Sequence, residues 1–578
     1  MFSSSSNGGF SLKAYQGSQM TLLAMDADNA PQDHLFAGFT LEYTEPGGAR
    51  RPIKNLLNFA GTDTITSSVD SPFQAFKWVH FPSSYSQLAI QAGNWTYHST
   101  PRFFAADGSL TPLDPSRTLN VMIPVDDFSK GGLDVGFTRA FLKSQAYAKR
   151  FGAQTPLKPK GNWLFDTAAN AGKMNGKDFT YEDMYIWLGY TARRRIYETL
   201  DEALSDSSIT VEMFAYDLND PGTAERVLAL ANNGRVRLIL DDAALHVSTQ
   251  TKRSREDEFE KKFRARATTN SEIFRCHFSR YAHCKIIILK KNGKPFKVLT
   301  GSTNFAITGL CVNANHVLIF NRPDVAKYYS DTFNETWMVG KASPFAKTKF
   351  SIKTSTFAGQ GLPKTEITFS PHDETRAKAV LDAITVEIQK TSTRSVLFAV
   401  MEMGDTSTGS LIHALRQLHK DDSIYTYGVT DNSSGDISLY KPGRKNGLLI
   451  DAKKAVRELP PPFVTEKSIG LGHAIHHKFV VSNFNRANAR VWCGSSNLAL
   501  GGEKQNSDNL LCIKDQDVAT AFAIEAMRLT DHYNFRSVRE PTIGQPTQKP
   551  KALDRTGKWV KKFFDPANIR FVERKTLA

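Results

Sequence analysis

With 578 residues, 40% of them hydrophobic and 23% charged, the chain is too long for one hydrophobic core and too apolar to be disordered. No apolar run approaches the about 18 residues that would suggest a helical membrane span, and a formal charge of +15 favours polyanionic partners, nucleic acid or anionic lipid. Five cysteines (Cys276, Cys284, Cys311, Cys493 and Cys512) form no CxxC pair. That argues against a zinc knuckle or a disulfide framework and for packed thiols in a reducing compartment.

At the amino terminus, Met1 to Ser6 shows no basic region followed by an apolar core. Cytoplasmic residence is therefore expected, with export by a route needing no such signal as the alternative. Residues 1–145 read as short strands broken by turns, among them Phe39–Tyr43 before Pro46-Gly47-Gly48, Phe76–Phe81 and Leu119–Ile123. They predict a β-sandwich-like accessory domain for binding or oligomerisation. Residues 146–180, with two prolines and two lysines between Gln154 and Gly161, read as a linker.

A helical stretch from Tyr181 to Ser205 follows, then a strand at Ile209–Tyr216, a helix opened by Pro221 and a strand at Val236–Leu240. Strand, helix, strand at this spacing predicts a βαβ unit and a parallel sheet. The pattern then recurs. Ser370-Pro371-His372-Asp373 reads as a helix start with Ser370 as N-cap, followed by a strand at Val396–Val400, a helix at Leu411–Leu418 and a strand at Ile424–Val429. The chain contains an internal duplication, with halves at 181–345 and 346–545. Residues 546–578, with Lys549-Pro550-Lys551 and the basic run Lys558–Lys562, read as a basic tail or docking helix, or as an arm that contacts phosphate.

Each repeat ends in the same signature. His283-Cys284-Lys285 precedes Gly301-Ser302-Thr303-Asn304, and His476-His477-Lys478 precedes Gly494-Ser495-Ser496-Asn497; His and Asn are 21 residues apart in both. On a strand, His and Lys two residues apart share a face. Bringing the copies together gathers two imidazoles, two ammonium groups and two carboxamides around one cavity. That set suits a tetrahedral phosphate: donors for its oxygens, one base to attack and one acid to release the leaving group.

These paired motifs resemble the phospholipase D superfamily, the HKD enzymes, over roughly residues 180–540. The resemblance implies an α/β fold of two fused half-domains with parallel-rich sheets flanked by helices. It also implies a metal-independent, cofactor-free phosphodiesterase acting through a phosphohistidine. His283 or His476 would attack phosphorus while the other protonates the leaving group. Lys285, Lys478, Asn304 and Asn497 would hold the phosphoryl oxygens, supported by Ser302 and Ser495. The Asp usual five residues after each motif Lys is replaced by Lys290 and Asn483, a loss shared with the tyrosyl-DNA phosphodiesterase branch. Nucleases of the superfamily place a carboxylate eleven residues after the motif Asn, followed by another Asn. The second repeat has Asp508 and Asn509 there, whereas the first has Asn315 and His316. Asp508 is accordingly expected on His476, and Asn315 on His283.

His473, His476 and His477 lack a carboxylate or thiolate at metal-site spacing, so no metal is expected. His277, His316, His413 and His419 read as ordinary core or surface histidines, and Lys252–Arg266 as a solvated helix. No GxSxG elbow or GxxxxGK[ST] loop accompanies the motifs. Nucleic acid is the favoured substrate, a phospholipid the alternative, and a non-catalytic phosphate-backbone or lipid-binding protein the third reading.

Overall fold

The computed structural model describes all residues except 32–34, 63, 83–90, 141–144, 252, 402–409, 432–436, 442–447, 451–473 and 540–551. The chain is α/β, with two large mixed sheets flanked by helices and a β-rich N-terminal region. In that region, strands Phe2–Asn7, Phe10–Gln16, Thr21–Ala27 and Lys77–His80 form one sheet; Leu119–Pro124, Asn94–Phe103, Phe36–Thr44 and Arg51–Pro52 form the other. Alternating inward residues of both, such as Leu12, Leu23, Phe39, Tyr97 and Val121, share one core.

Three boundaries differ from the sequence reading. The strand Leu133–Phe137 leaves the sandwich and pairs antiparallel with His316–Phe320 in the first half's eight-stranded sheet. The expected linker folds instead: Tyr147, Phe151, Leu157, Trp163 and Phe179 are buried in the first half's core. Its apolar residues are too widely spaced to register as one periodic element, yet each finds a pocket. The basic tail is docked as well. Trp559, Val560 and Phe563 enter the sandwich core while Lys558, Lys561 and Lys562 face outward. Trp559 stacks on Phe36 with ring centroids 5.5 Å apart, and the Arg574 guanidinium pairs with Asp26. Lys549-Pro550-Lys551 lies outside the described residues.

In the first half, Ile209–Ala215, Val236–Asp241 and Glu272–Cys276 run parallel, as the βαβ reading requires. Parallel pairing stops there. The strand Ile286–Lys291 that follows the first motif runs antiparallel to Ile209–Ala215 and turns back into Lys294–Gly301. The turn is Asn292-Gly293, both at positive φ (48° and 77°), the two-residue loop that suits an antiparallel hairpin. In the second half only Ser395–Val400 and Tyr425–Asp431 are parallel within a nine-stranded sheet. The expected parallel-rich sheets are therefore mixed, because the motif strands Ile286–Lys291 and Lys478–Ser482 each run antiparallel to both of their neighbours. The helix after Ser370 starts later than expected. Asp373 caps Glu374–Ile388 by accepting from the Arg376 N–H, while Ser370 ends the strand Leu362–Ser370. All five cysteines are free and buried.

Candidate active site

Each motif glycine ends a strand at a φ that L side chains avoid, 143° at Gly301 and 140° at Gly494. A Cβ would lie 2.4 Å from the His316 carbonyl oxygen at the first and 2.5 Å from that of Asn509 at the second. The glycines let the strand ends turn against the next strand, which carries Asn315-His316 or Asp508-Asn509.

The halves are stitched by two short parallel bridges, Ala282 with Ser507 and Ala314 with Ile475. The His283 N–H donates to the Ser507 carbonyl at 2.9 Å and the His476 N–H to that of Ala314 at 3.0 Å. Each motif histidine thus enters beside the other half's strand. His283 and His476 are 5% and 6% exposed.

This crossing corrects the expected partners. His283 Nδ1 lies 2.7 Å from Asp508 Oδ1. His476 Nδ1 donates to Asn315 Oδ1 at 2.8 Å and to the Ser302 carbonyl at 3.1 Å. The reason is topological: the bridges place residue 508 next to 283 and residue 315 next to 476, so each orienting group serves the opposite half. Burial pushes the His283 imidazole below its ordinary pKa, with the Asp508 carboxylate opposing.

The lysines repeat the symmetry, with Lys285 Nζ donating to the His283 carbonyl and Lys478 Nζ to that of His476 at 2.7 Å. Burial lowers the Lys285 ammonium to about 8, against the pull of Asp508 and Asp217. Lys478 is pushed well below its ordinary value by burial and then by the charge of Lys285. Each of these buried amines opposes the other's charge, a conflict that an anion between them would relieve.

Asn304 Nδ2 donates to Asp217 Oδ2 at 2.5 Å. The Oδ1 atoms of Asn304 and Asn497 are buried and have no hydrogen-bond partner among the described residues. Ser302 Oγ donates to Asn315 Oδ1 at 2.8 Å, and Ser495 Oγ accepts from the Asn509 N–H at 3.0 Å. Asn509 reaches across to Thr300 and Tyr329 of the first half. The residues standing where an Asp was expected are structural: Lys290 pairs with Glu212 at 2.8 Å, and Asn483 accepts from the Arg394 N–H at 3.0 Å.

Several site groups escaped the sequence reading. Asp241 Oδ2 accepts from the Ala282 N–H at 2.5 Å and Asp431 Oδ2 from that of Ile475 at 3.2 Å. Both acids close the second strand of a repeated βαβ unit, so aligning the repeats on those strands would have exposed them. His246 sits between Asp241 and Asp217, 2.7 Å from each. Although burial pulls it down, its hydrogen bonds to Asp217 and Asp241 hold the ring up at about 10, a buried imidazolium. Asp217, His246 and Glu256 offer ligand atoms within 4.8 Å of one another. Both ring nitrogens of His246 already serve carboxylates, so the cluster is satisfied as an ion network. His316, read as an ordinary histidine, meets His477 of the second motif across the interface at 3.1 Å. His473 lies outside the described residues, and so does Lys252; the helix Arg255–Arg266 buries Phe259 and Phe263 and leaves a charged outer face. His277 is exposed beside Asp242, and His419 is buried on Thr426.

A family model described as cardiolipin synthase, PLD-like domain, matches residues 196–337, which contain the first motif and Asn315. The chain therefore carries a phospholipase D-like domain at residues 196–337. Among solved structures, it is similar to phosphatidylserine synthase from Haemophilus influenzae (11% identity, 67% of this chain and 90% of that one, TM-score 0.40). It is similar also to the phospholipase D family member Nuc from Salmonella typhimurium (20% identity, 26% and 89%, TM-score 0.22). A third is polyphosphate kinase from Porphyromonas gingivalis (11% identity, 68% of this chain, TM-score 0.38), of whose length the chain spans 55%. No curated protein matches the sequence. No described helix is long and apolar enough to cross a membrane.

Proposed function

We propose that the protein hydrolyses phosphodiesters through a phosphohistidine on His283, with His476 as acid and base, and that its substrate is nucleic acid. The crossed pair of orienting groups carries this reading. Attack by His283 Nε2 on phosphorus makes the ring cationic, and Asp508 on Nδ1 stabilises that charge. Burial favours the neutral form of the resting ring, the form a nucleophile needs. His476, held through Nδ1 by neutral oxygens, gives the proton at Nε2 to the departing alkoxide. It then takes a proton from water, whose oxygen attacks phosphorus as the P–N bond breaks. A phosphomonoester and an alcohol leave.

Lys285, Lys478, Asn304 and Asn497 offer the cations and amide donors for the phosphoryl oxygens. Burial makes each charge count for more than it would in water. The protein's own groups supply both the charge neutralisation and the acid–base pair, so the reaction as written draws on no metal ion.

Two features favour nucleic acid: the net charge of +15, and an aromatic–cation rim. Exposed Arg280 stands 4.9 Å over the ring of half-exposed Tyr281, which is 6.4 Å from the His283 ring. Stacking platforms of this kind hold unpaired bases. The test is a cleavage assay with a strong chelator, on single- and double-stranded nucleic acid and on phospholipid vesicles. Chelator-resistant cleavage of nucleic acid is expected, with affinity falling steeply between about 50 and 200 mM salt. Cleavage of vesicles alone would reassign the substrate, and activity restored only by added metal would overturn the mechanism.

A further inference from the structure

Behind His476 the structure holds a feature with no role in the mechanism above. His316 and His477 are fully buried and lie edge to edge, 7° from coplanar with centroids 5.4 Å apart, in a cage that includes Phe137, Phe479 and Phe522. His316 Nε2 has no hydrogen-bond partner among the described residues. Apolar residues would fill this space without leaving a polar atom unsatisfied. An arrangement costly to the fold calls for a use.

Its hydrogen bonds lead to the active site. Glu525 Oε1 lies 3.0 Å from His477 Nε2, His477 Nδ1 lies 3.1 Å from His316 Nδ1, and that atom lies 3.2 Å from Ser302 Oγ. Ser302 Oγ then donates to Asn315 Oδ1, the acceptor for His476 Nδ1. Although burial opposes it, Arg528 holds the Glu525 carboxyl below its ordinary value, and burial lowers both imidazoles. Together with the distances, these directions favour one arrangement of protons. Neutral His477 donates from Nε2 to the carboxylate, so its Nδ1 is an acceptor and His316 Nδ1 must be a donor. Ser302 Oγ, which shares that single Nδ1 proton with His477 and accepts also from the His316 backbone N–H at 3.0 Å, turns its own proton to Asn315. Asn315 Nδ2 is pinned on the Gly309 carbonyl at 2.8 Å.

We propose that Glu525, His477 and His316 are positioning residues that, through Ser302, hold the Asn315 amide with its oxygen towards His476 and so fix the His476 tautomer. The proposal rests on the phosphodiesterase reading for the consequence of that tautomer. The two halves show why one needs such a chain. A carboxamide can present either its oxygen or its nitrogen and must be held, whereas the carboxylate of Asp508 presents only acceptors. At the position equivalent to His316 the second half has Asn509, whose Nδ2 donates across the interface to Thr300 Oγ1 at 2.6 Å. An Asn donor is therefore already used at this place in the fold.

The test compares wild type, His316→Phe and His316→Asn, with bis(p-nitrophenyl) phosphate as the probe. His316→Phe keeps an aromatic ring in the cage but removes the donor, and should lower kcat by about ten- to a hundredfold with KM nearly unchanged. His316→Asn restores a donor and should recover most of the loss. Equal losses in both variants would assign His316 to packing and overturn the proposal, as would an unchanged kcat in His316→Phe. A second arm needs no turnover: the rate of His476 carbethoxylation by diethyl pyrocarbonate, resolved by mass spectrometry. It should fall severalfold in His316→Phe while that of His283 stays constant. An unchanged His476 rate would overturn the proposal. A wild type that fails to cleave the probe would instead remove the phosphodiesterase reading and leave this arm to decide.

Discussion

His283 and Asp508, 225 residues apart and in different halves, meet at 2.7 Å through Nδ1 and Oδ1. The equivalent contact on the other side pairs His476 with the neutral amide of Asn315 at 2.8 Å. The site is therefore symmetric in shape and asymmetric in charge. Asp508→Asn should lower turnover about ten- to a hundredfold, with its pH signature on His283. The carboxylate favours the imidazolium and opposes the lowering by burial. Removing it lets the pKa fall further, so the acidic limb of kcat/KM should move to lower pH. A pH–rate profile beside wild type checks this; an unmoved limb would detach Asp508 from His283 in the reaction.

His283→Ala and His476→Ala should each reduce turnover by several orders of magnitude with the fold retained by circular dichroism. Attack and leaving-group protonation belong to one step, so the double variant should be little worse than either single one. Losses that multiply would mean two independent sites.

Burial brings Lys285 down to about 8, within reach of ordinary assay conditions. Below that value the ammonium is charged and, in the proposed mechanism, would bind the phosphoryl oxygens; above it the charge is lost. Substrate affinity should therefore weaken as pH rises through about 8. Lys285→Arg keeps a cation at every accessible pH, so it should move this limb upward while lowering kcat/KM through its different geometry. An alkaline limb that stays in place in the variant would assign it to another group.

Trp559 is 9% exposed in the sandwich core and stacked on Phe36. Trp559→Ala should cost about 3–5 kcal/mol, measured by denaturant unfolding. The exposed neighbour Lys558→Ala should stay within about 0.5 kcal/mol. A near-neutral Trp559→Ala would mean that the C-terminal segment does not close this core.

The His-x-Lys and Gly-Ser-x-Asn motifs were legible because their spacing is local. Strand alternation, a hairpin and a positive-φ glycine act over a few residues, and repeating them within one chain marks them as a pair. The α/β class was legible for the same reason, through the periodicity of Pro221–Asn232 between two apolar strands. The expected sheet direction failed at the motif strands because Ile286–Lys291 and Lys478–Ser482 pair antiparallel with Ile209–Ala215 and Ser395–Val400, a choice made between strands far apart in the chain. The local Asn292-Gly293 turn sets only the pairing with the strand that follows it. The supposed linker and tail failed because single aromatics such as Trp163 and Trp559 leave no periodic trace and are buried only by distant partners.

The sequence by itself determined which chemical groups the site owns: two imidazoles, two ammonium groups, two amides, one carboxylate and one carboxamide to orient the rings. Only the tertiary structure decided which orienting group serves which ring. The choice follows from bridges between Ala282 and Ser507 and between Ala314 and Ile475, contacts between segments far apart in the chain. Register across an interface is a property of two surfaces packed together, and no local spacing encodes it. The same holds for Asp217, His246 and the chain from Glu525 to Ser302, whose protons are placed only once burial has removed water as an alternative partner.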